Sequence, residues 1–273
     1  MTSITGAAFL FAVIAAVRST WSPCGVSMLS SITPIAERAR GNRYGVTSAW
    51  FIFGSVLGGV SLGLVAAAGA ALVAVLPLPD EAVALVAAVA AVITLGSDLR
   101  FAGFRLPAHP RQVDRRWLDL YRPWIYGIGF GWQLGVGVAT YVMTSAIYLM
   151  VVLAALTGEP VVAVGVVAAF GLIRGLSIFL AAGATTPRDL SSLHARVERL
   201  RPASRFMAAG FQAAFVAAAA AWLAGPMVGV ATAVTLGAVI WSRRKELRDP
   251  RPHSDQPPAR RRALIAVEPV NGL

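Results

Sequence analysis

The sequence predicts an all-α, polytopic membrane protein, a bundle of helices that crosses the bilayer several times. Hydrophobic residues make up 57% of the 273 residues and charged residues only 14%, whereas soluble globular chains carry roughly 25% charged residues. Mean hydropathy is +0.68. The apolar residues also occur in long runs separated by short charged segments, which is the pattern of membrane-spanning helices.

Seven apolar runs are candidate spans, because about 20 apolar residues cross a bilayer. In chain order they are approximately residues 4–34, 44–75, 82–97, 124–156, 160–183, 205–224 and 226–241. The first is interrupted near Pro23. It has no basic residue before Arg18 and no clear cleavage site after it, so we expect a retained span rather than a signal peptide. The last is short, and Gly225-Pro226 fits either an external turn or a kink in one bent helix.

The positions of the arginines predict the orientation of the chain. A net charge of +11 would indicate nucleic-acid binding in a soluble protein, but here the basic residues lie between or after the apolar runs. They occupy residues 38–43, 100–122, 188–205 and 243–262, while 76–81 and 157–160 contain no Lys or Arg. This positive-inside pattern predicts a multi-pass protein of a bacterial-type cytoplasmic (inner) membrane. Its N-terminus would lie outside and its C-terminus in the cytoplasm, with the lipid bilayer rather than nucleic acid as its partner.

Two halves of the chain resemble each other weakly. The segment from Trp21 to Thr33 aligns without gaps to the segment from Trp132 to Thr144. Because the first half begins outside and the second inside, we expect an inverted repeat of three plus three spans with broken helices, and a seventh span added. Paired interrupted helices in inverted repeats indicate a binding site near the membrane midplane.

The predicted organisation has five segments. They are a first membrane repeat (1–97), a cytoplasmic basic loop (98–123), a second membrane repeat (124–224), an extra span (225–242) and a basic, disordered cytoplasmic tail (243–273).

The only cysteine, Cys24, lies directly after the proline that interrupts the first run. Because proline removes a backbone donor, a half-helix should begin there, and the N-terminal end of a helix favours a thiolate. The repeat alignment puts Gly135 opposite Cys24, with polar residues nearby. The alternative interpretation is that Cys24 is a small buried hydrophobic residue. The residues predicted to form this site are Trp21, Pro23, Cys24, Gln133, Gly135 and Thr140.

Arg18 and Arg174 form a second predicted feature. Each lies nine or more residues from the nearest predicted membrane edge, on the order of 15 Å deep. An arginine at mid-helix costs about 2.5 to 3.5 kcal/mol on insertion, and no predicted span contains an internal carboxylate. We therefore expect each arginine to face an anion, a carbonyl cluster or water. The alternative, more plausible for Arg174, is a side chain that extends to the headgroups.

The sequence predicts neither a metal site nor a cofactor. His109, His194 and His253 lie in separate cytoplasmic segments, and one cysteine provides no ligand spacing. The glycines of residues 127–137 have no preceding strand and no acidic residue at the distance that a dinucleotide-binding loop requires, so we expect them to serve helix packing.

These features resemble the CcdA/DsbD transmembrane family, which moves reducing equivalents across the bacterial inner membrane for cytochrome c maturation. The resemblance rests on Ser22-Pro23-Cys24, on Pro34 near the cytoplasmic end of the first span and on the inverted plan, and it covers about residues 5–224. It implies that Cys24 exchanges disulfides. The family's second membrane cysteine, at or beside Gly135, is absent, so a thioredoxin-like or other thiol partner, or a second copy, would have to supply it.

Three functions follow as hypotheses. The first is thiol-redox transfer across the membrane through Cys24. The second is a transporter on the same scaffold, with Arg18 and Arg174 attracting an anionic solute. The third is a non-catalytic membrane subunit whose arginine-rich loops dock an acidic partner.

Overall fold

The computed structural model describes residues 2–76, 78–107, 117–138 and 142–243, and within these ranges every regular element is helical. Helices α1 to α5 are Thr2–Ser19, Pro23–Ser31, Pro34–Ala39, Tyr44–Val75 and Asp80–Asp98. Helices α6 to α11 are Trp117–Leu120, Pro123–Val136, Ala146–Leu156, Pro160–Leu176, Pro187–Ala224 and Pro226–Ser242. Short 3₁₀ helices cover Phe101–Gly103 and Ser177–Ala181.

Four helical segments of the described chain are long and apolar enough to cross a membrane: Tyr44–Val75, Asp80–Asp98, Pro160–Ala181 and Pro187–Ala224. Helices α1 and α2 add a fifth if the two, bent by 64° relative to each other, form one broken span. This confirms the all-helical, multi-pass membrane class. Helices α8 and α11 are apolar but only 11 and 17 residues long, so the seventh span and the inverted repeat stay predictions.

Three helices begin with the same local signal, a hydroxyl residue followed by proline. Ser22 accepts a hydrogen bond from the backbone N–H of Gly25 at 3.0 Å at the start of α2, and Thr33 caps α3 in the same way. Thr186 and Asp189 form a reciprocal capping box at the start of α10. Proline is favoured at the first helical position because its missing N–H would have no partner there. The predicted interruption near Pro23 is therefore a real helix boundary.

The structure changes the bounds of two predicted segments. The predicted span 124–156, in which the sequence also predicted a broken helix, is two helices, because α7 ends at Val136 and the next residue, Gly137, has a φ of 72°, a conformation that favours glycine. The predicted arginine-rich loop 188–205 is helical, since the capping box starts α10 at Pro187 and the helix continues for 38 residues. The charged and the apolar parts of this region are thus one continuous helix.

One face of helix α4 packs against both α7 and α9. A Cβ atom added at Gly135 would lie 2.7 Å from the carbonyl carbon of Ser55. One added at Gly59 would lie 3.1 Å from the Cα of Gly171. Backbones that approach this closely require small residues, as is common between membrane helices. The glycines therefore serve helix packing, as the sequence predicted.

Helix α11 folds back along α10. Gly225, with φ 98° and ψ 160°, ends α10 and begins α11, and Gly229 packs directly on Ala217 and Ala221 of α10. Further along, Leu236 and Val239 pack on a buried cluster that contains Ala209 and Ala213. Gly225-Pro226 is therefore a tight turn between two packed helices and not a kink.

Candidate functional site

Cys24 lies at the junction of α1 and α2. Helix α1 ends at Ser19, and Cys24 is the second residue of α2, with 2% of its surface exposed. The connecting turn is tight, because a Cβ atom added at Gly25 would lie 3.0 Å from the carbonyl carbon of Thr20. The thiol is thus buried in the first turn of a helix, where unpaired backbone N–H groups stabilise negative charge.

Arg174, in the last turn of α9, is the charged group beside this turn. It is 1% exposed. Its Nη2 donates a long hydrogen bond of 3.4 Å to Ser22 Oγ, and the guanidinium lies within electrostatic range of the Cys24 thiol. The guanidinium carbon is 5.9 Å from the centre of the Phe170 ring, close enough for a cation–π contact. Its Nε is buried without a partner in the described chain.

The N-terminal half of α10 covers α2 from one side. The indole nitrogen of Trp21 donates to the carbonyl oxygen of Val197 at 2.6 Å, and Ser30 Oγ lies 2.8 Å from His194 Nε2. His194 and Val197, which lie in the segment predicted to be a cytoplasmic loop, therefore contact residues next to Cys24.

The predicted site residues are only partly brought together. Trp21, Pro23, Cys24 and Arg174 lie around the α1–α2 turn. Cys24 shares a buried apolar cluster with Leu134 of α7, and Gln133 is half-buried on that helix. Gly135 instead packs on the Ser55 carbonyl group, and Thr140 lies outside the described residues.

Arg18 and Arg174 form hydrogen bonds with different residues. In the last turn of α1 and 2% exposed, it donates from Nη1 to Ser204 Oγ at 3.2 Å. The sequence predicted no carboxylate inside the spans, but Asp98, the last residue of α5, lies within electrostatic range of Arg18. Helix α1 is 18 residues long, about 27 Å, which is sufficient for a span. Because Arg18 lies at the end of this helix, a position near the membrane edge is favoured over the predicted midplane depth.

Sequence reasoning missed Asp98 as a structural centre. Its carboxylate accepts hydrogen bonds from Thr144 Oγ1 at 2.6 Å, from the backbone N–H of Ser145 at 2.6 Å and from Gln212 Nε2 at 2.9 Å. It therefore caps the N-terminus of α8 from another helix, and this anchors the α7–α8 break. The apolar run of α5 ends just before Asp98, so the residue looked like the start of a loop.

Glu37 was missed in the same way. Its side chain is 0% exposed and accepts hydrogen bonds from Tyr126 Oη at 2.6 Å, Thr47 Oγ1 at 2.8 Å and Arg40 Nη1 at 2.9 Å. These bonds join α3, α4 and α7 next to the Cys24 region. The local signal was an acidic residue three positions before an arginine on a short helix.

The Cys24–Arg174 arrangement can stabilise negative charge. Arg174, whose Nε–H has no hydrogen-bond partner in the described chain, lies beside the Cys24 thiol in the first turn of α2, and the thiol belongs to a buried apolar cluster, where electrostatic interactions are stronger than in water. Over the ranges that the structure describes, no three His, Cys, Asp or Glu side chains come close enough together to hold a metal ion.

Comparison with known proteins gives one consistent similarity. No protein-family model matches the chain, and no solved structure matches it. It is 29% identical over 182 residues to methylamine utilization protein MauF of Methylophilus methylotrophus, covering 64% of this chain and 62% of that protein. It is 31% identical over 188 residues to the MauF protein of Paracoccus denitrificans, with the same coverage of 64% and 62%. The chain spans about 62% of the length of these curated relatives.

The resemblance to the CcdA/DsbD family is wrong. The curated proteins that match, which also include MauF of Paracoccus versutus at 30% identity over 59% of each chain, carry the name of a methylamine utilization protein, and nothing in the comparisons indicates CcdA or DsbD. The resemblance rested on a short Ser-Pro-Cys motif, and the structure explains that motif as a helix cap and first turn that also occurs, without cysteine, at Thr33-Pro34. The chain is similar to the MauF proteins.

Proposed function

We propose that this chain is a multi-pass membrane protein that acts in methylamine utilization. The observation that carries the proposal is the similarity to curated MauF proteins of several organisms, at 28 to 31% identity over 160 to 188 residues. The helical architecture supports it, because four described helices are suited to a membrane. The relatives' name specifies a process and not a reaction.

Complementation tests this proposal directly. A Paracoccus denitrificans strain that lacks its MauF protein would receive this chain, or a chimaera in which this chain replaces the 188 matched residues and the remainder of the Paracoccus protein is kept. We expect restored growth on methylamine as the sole nitrogen source, with growth on ammonium equal in all strains. If both proteins reach the membrane in normal amount and neither restores growth on methylamine, the proposed function is refuted.

The Cys24–Arg174 centre is the site that we assign to this function. Its support is a buried guanidinium whose Nε has no partner in the described chain, beside a thiol in the first turn of a helix. A thiol role means that the Cys24 thiolate attacks a disulfide of a partner protein, forms a mixed disulfide and releases the partner's second sulfur as a thiolate. The relatives' name is silent on such chemistry.

Two substitutions at one position separate a thiol role from a packing role. Cys24→Ala keeps a small apolar side chain in the buried position, and Cys24→Ser keeps the shape of the thiol without its nucleophilicity. If the thiol reacts, both variants should lose complementation at normal membrane abundance, and the wild-type chain should be trapped in a mixed disulfide in cells. Growth with Cys24→Ala at the wild-type rate would show that Cys24 is a packing residue.

The transporter alternative is not favoured. Its support was a pair of arginines that would attract one solute, but Arg18 donates to Ser204 and Arg174 donates to Ser22. Nothing in the name of the relatives refers to transport.

The predicted orientation is part of the proposal. Arginine-rich segments stay on the cytoplasmic side of bacterial inner membranes, so residues 38–43, 100–122 and 188–205 and the segment after Arg243 should be cytoplasmic, with 76–81 and 157–160 outside. Reporter fusions at Ser191 and Asp255 test this. We expect both to report the cytoplasm. Opposite sides would show that α11 does not cross the membrane, and an external Ser191 would refute the inverted-repeat prediction.

A further inference from the structure

The N-terminal part of α10 differs in charge from the rest of that helix. Six of the fifteen residues from 187 to 201 are charged, whereas none of the nineteen residues from 206 to 224 is charged. Charged side chains are costly inside lipid, so residues 187–201 extend beyond the hydrocarbon core that the apolar part is long enough to cross. We call residues 187–201 the α10 extension. Its helical structure is stabilised locally, because Thr186 and Asp189 form a capping box at its start.

One face of the α10 extension packs over the Cys24 region. Leu193 and Val197 are four residues apart and therefore lie on the same side of the helix. Both pack in the buried apolar cluster that contains Cys24. Ala195 and Arg199, which lie on the opposite side, are exposed. The α10 extension thus separates the buried thiol from the surface on this side.

Two side-chain hydrogen bonds between described residues hold the α10 extension in this position. The carbonyl oxygen of Val197 accepts from the indole N–H of Trp21 at 2.6 Å. His194 Nε2 donates to Ser30 Oγ at 2.8 Å, because the proton of the Ser30 hydroxyl is used in a bond to the carbonyl oxygen of Val26. Each bond joins one residue of the α10 extension to one residue beside or within α2, so both would break if the two separated.

Pro202 follows directly after the α10 extension and lies inside the helix. Proline has no N–H, so the carbonyl oxygen of Glu198, four residues earlier, lacks its usual helical partner, and interior prolines are a common cause of helix kinks. At the other end, residues 182–186 connect the α10 extension to the preceding 3₁₀ helix, and Gly183 in this connection is exposed. Both ends of the α10 extension therefore permit movement without loss of its helical structure.

We propose that the α10 extension is a lid over Cys24 that opens by bending at Pro202. The proposal rests on the proposed function, in which Cys24 is the reactive group. A thiol that exchanges disulfides with another protein must be reached by a sulfur atom of that protein, and the 2% exposure of Cys24 prevents this in the closed structure. Opening breaks the two hydrogen bonds and uncovers Leu193 and Val197, while the membrane-spanning helices stay packed. The closed structure is then the resting state, in which the thiol is protected.

The test measures how fast Cys24 reacts with a water-soluble maleimide in the full chain in detergent micelles. Cys24 is the only cysteine, so the reaction reports on this position alone, and Cys24→Ala is the blank. A local opening exposes little surface, so its rate should hardly change when a denaturing detergent is added below the unfolding transition, whereas exposure through global unfolding rises steeply. We expect a measurable rate with a weak dependence on the denaturing detergent. A rate that follows global unfolding, or no reaction before it, would overturn the proposal.

Two substitutions should change the reaction rate in opposite directions. His194→Ala removes one hydrogen bond of the closed lid and should accelerate the reaction about fivefold, as the loss of one hydrogen bond predicts. Arg199→Ala is the matched control on the exposed side of the same helix, and it should change the rate less than about twofold. Pro202→Ala restores a helical N–H at the hinge and should slow the reaction severalfold.

The outcomes separate the lid from the function. Equal rates in His194→Ala and Arg199→Ala, or an unchanged rate in Pro202→Ala, would overturn the lid. The labelling rates do not depend on methylamine utilization. A lid that opens in a chain that fails complementation would therefore refute the proposed function alone, and a chain that complements but reacts only on unfolding would refute the lid alone.

Discussion

Replacing Glu37 by glutamine removes a buried charge on which three donors converge. The carboxylate is inaccessible to solvent, and its Oε2 accepts from Tyr126 and Thr47 while Oε1 accepts from Arg40. Glutamine has the same shape but keeps only one acceptor oxygen and presents an NH₂ group in place of the other. The substitution therefore changes hydrogen bonding and charge with little change in packing.

The expected loss of stability follows from the three hydrogen bonds that the Glu37 carboxylate accepts. A hydrogen bond between neutral groups contributes about 1 kcal/mol and one to a charged group about 1.5 to 3 kcal/mol. The glutamine oxygen can still accept from either Arg40 or the two hydroxyls, so roughly half of the interaction is retained. We expect Glu37→Gln to lower the free energy of unfolding by about 2 to 3 kcal/mol, less than the roughly 3 to 5 kcal/mol for removing one partner of a buried pair, because part of the hydrogen bonding is retained.

Glu198→Gln is the matched control. It breaks the other glutamate–arginine pair at the same spacing of three residues, but the Glu198 side chain is 63% exposed, so its loss should stay below about 0.5 kcal/mol. The free energy of unfolding would be measured for both variants by titration with a denaturing detergent in mixed micelles. Equal losses, or a loss below about 1 kcal/mol for Glu37→Gln, would refute the argument that burial makes this carboxylate a stabilising centre.

Two further substitutions test helix packing and the thiol site. Gly135→Ala would force a methyl group against the α4 backbone and should destabilise the protein by about 2 kcal/mol or more. The control, Gly165→Ala, has open space around the added methyl group and should be neutral or stabilising by up to about 1 kcal/mol. Equal effects of the two substitutions in the same titration would contradict the packing assignment. A double-mutant cycle of Cys24→Ala and Arg174→Met should show a coupling energy of about 1 kcal/mol or more. Additive losses would mean that the thiol and the guanidinium do not interact.

A local signal in the sequence predicted the interruption of the first span. Helix α1 ends at Ser19 and α2 begins at Pro23, because the proline ring and its missing N–H act within a few residues, and this effect is visible without knowledge of the fold. The capping box of Thr186 and Asp189 was equally local. The arginines that follow it favour a loop by composition alone, although charged residues are equally compatible with a helix that extends beyond the bilayer.

Pairings between distant residues could not be predicted. Arg18 and Ser204 are separated by 186 residues, and Glu37 and Tyr126 by 89. No periodicity or composition links such positions, because the contact depends on how whole helices pack. The sequence therefore identified Arg18 and Arg174 as residues that need partners, and it identified none of the groups that they contact.

The contact between α4 and α9 has a consequence for how the chain is made. Ser55 Oγ donates to the carbonyl oxygen of Gly171 at 2.8 Å across 116 residues of sequence. At about 5 to 20 residues per second, translation of that interval takes roughly 6 to 23 s. During this time α4 exists and α9 does not, so the surface of α4 around Gly59 that later packs on α9 must be covered by lipid or by the insertion machinery. The packing of α4 on α9 is therefore a late event in biosynthesis, and a chain that is truncated before α9 would present this surface of α4, without its helix partner, to cellular quality control.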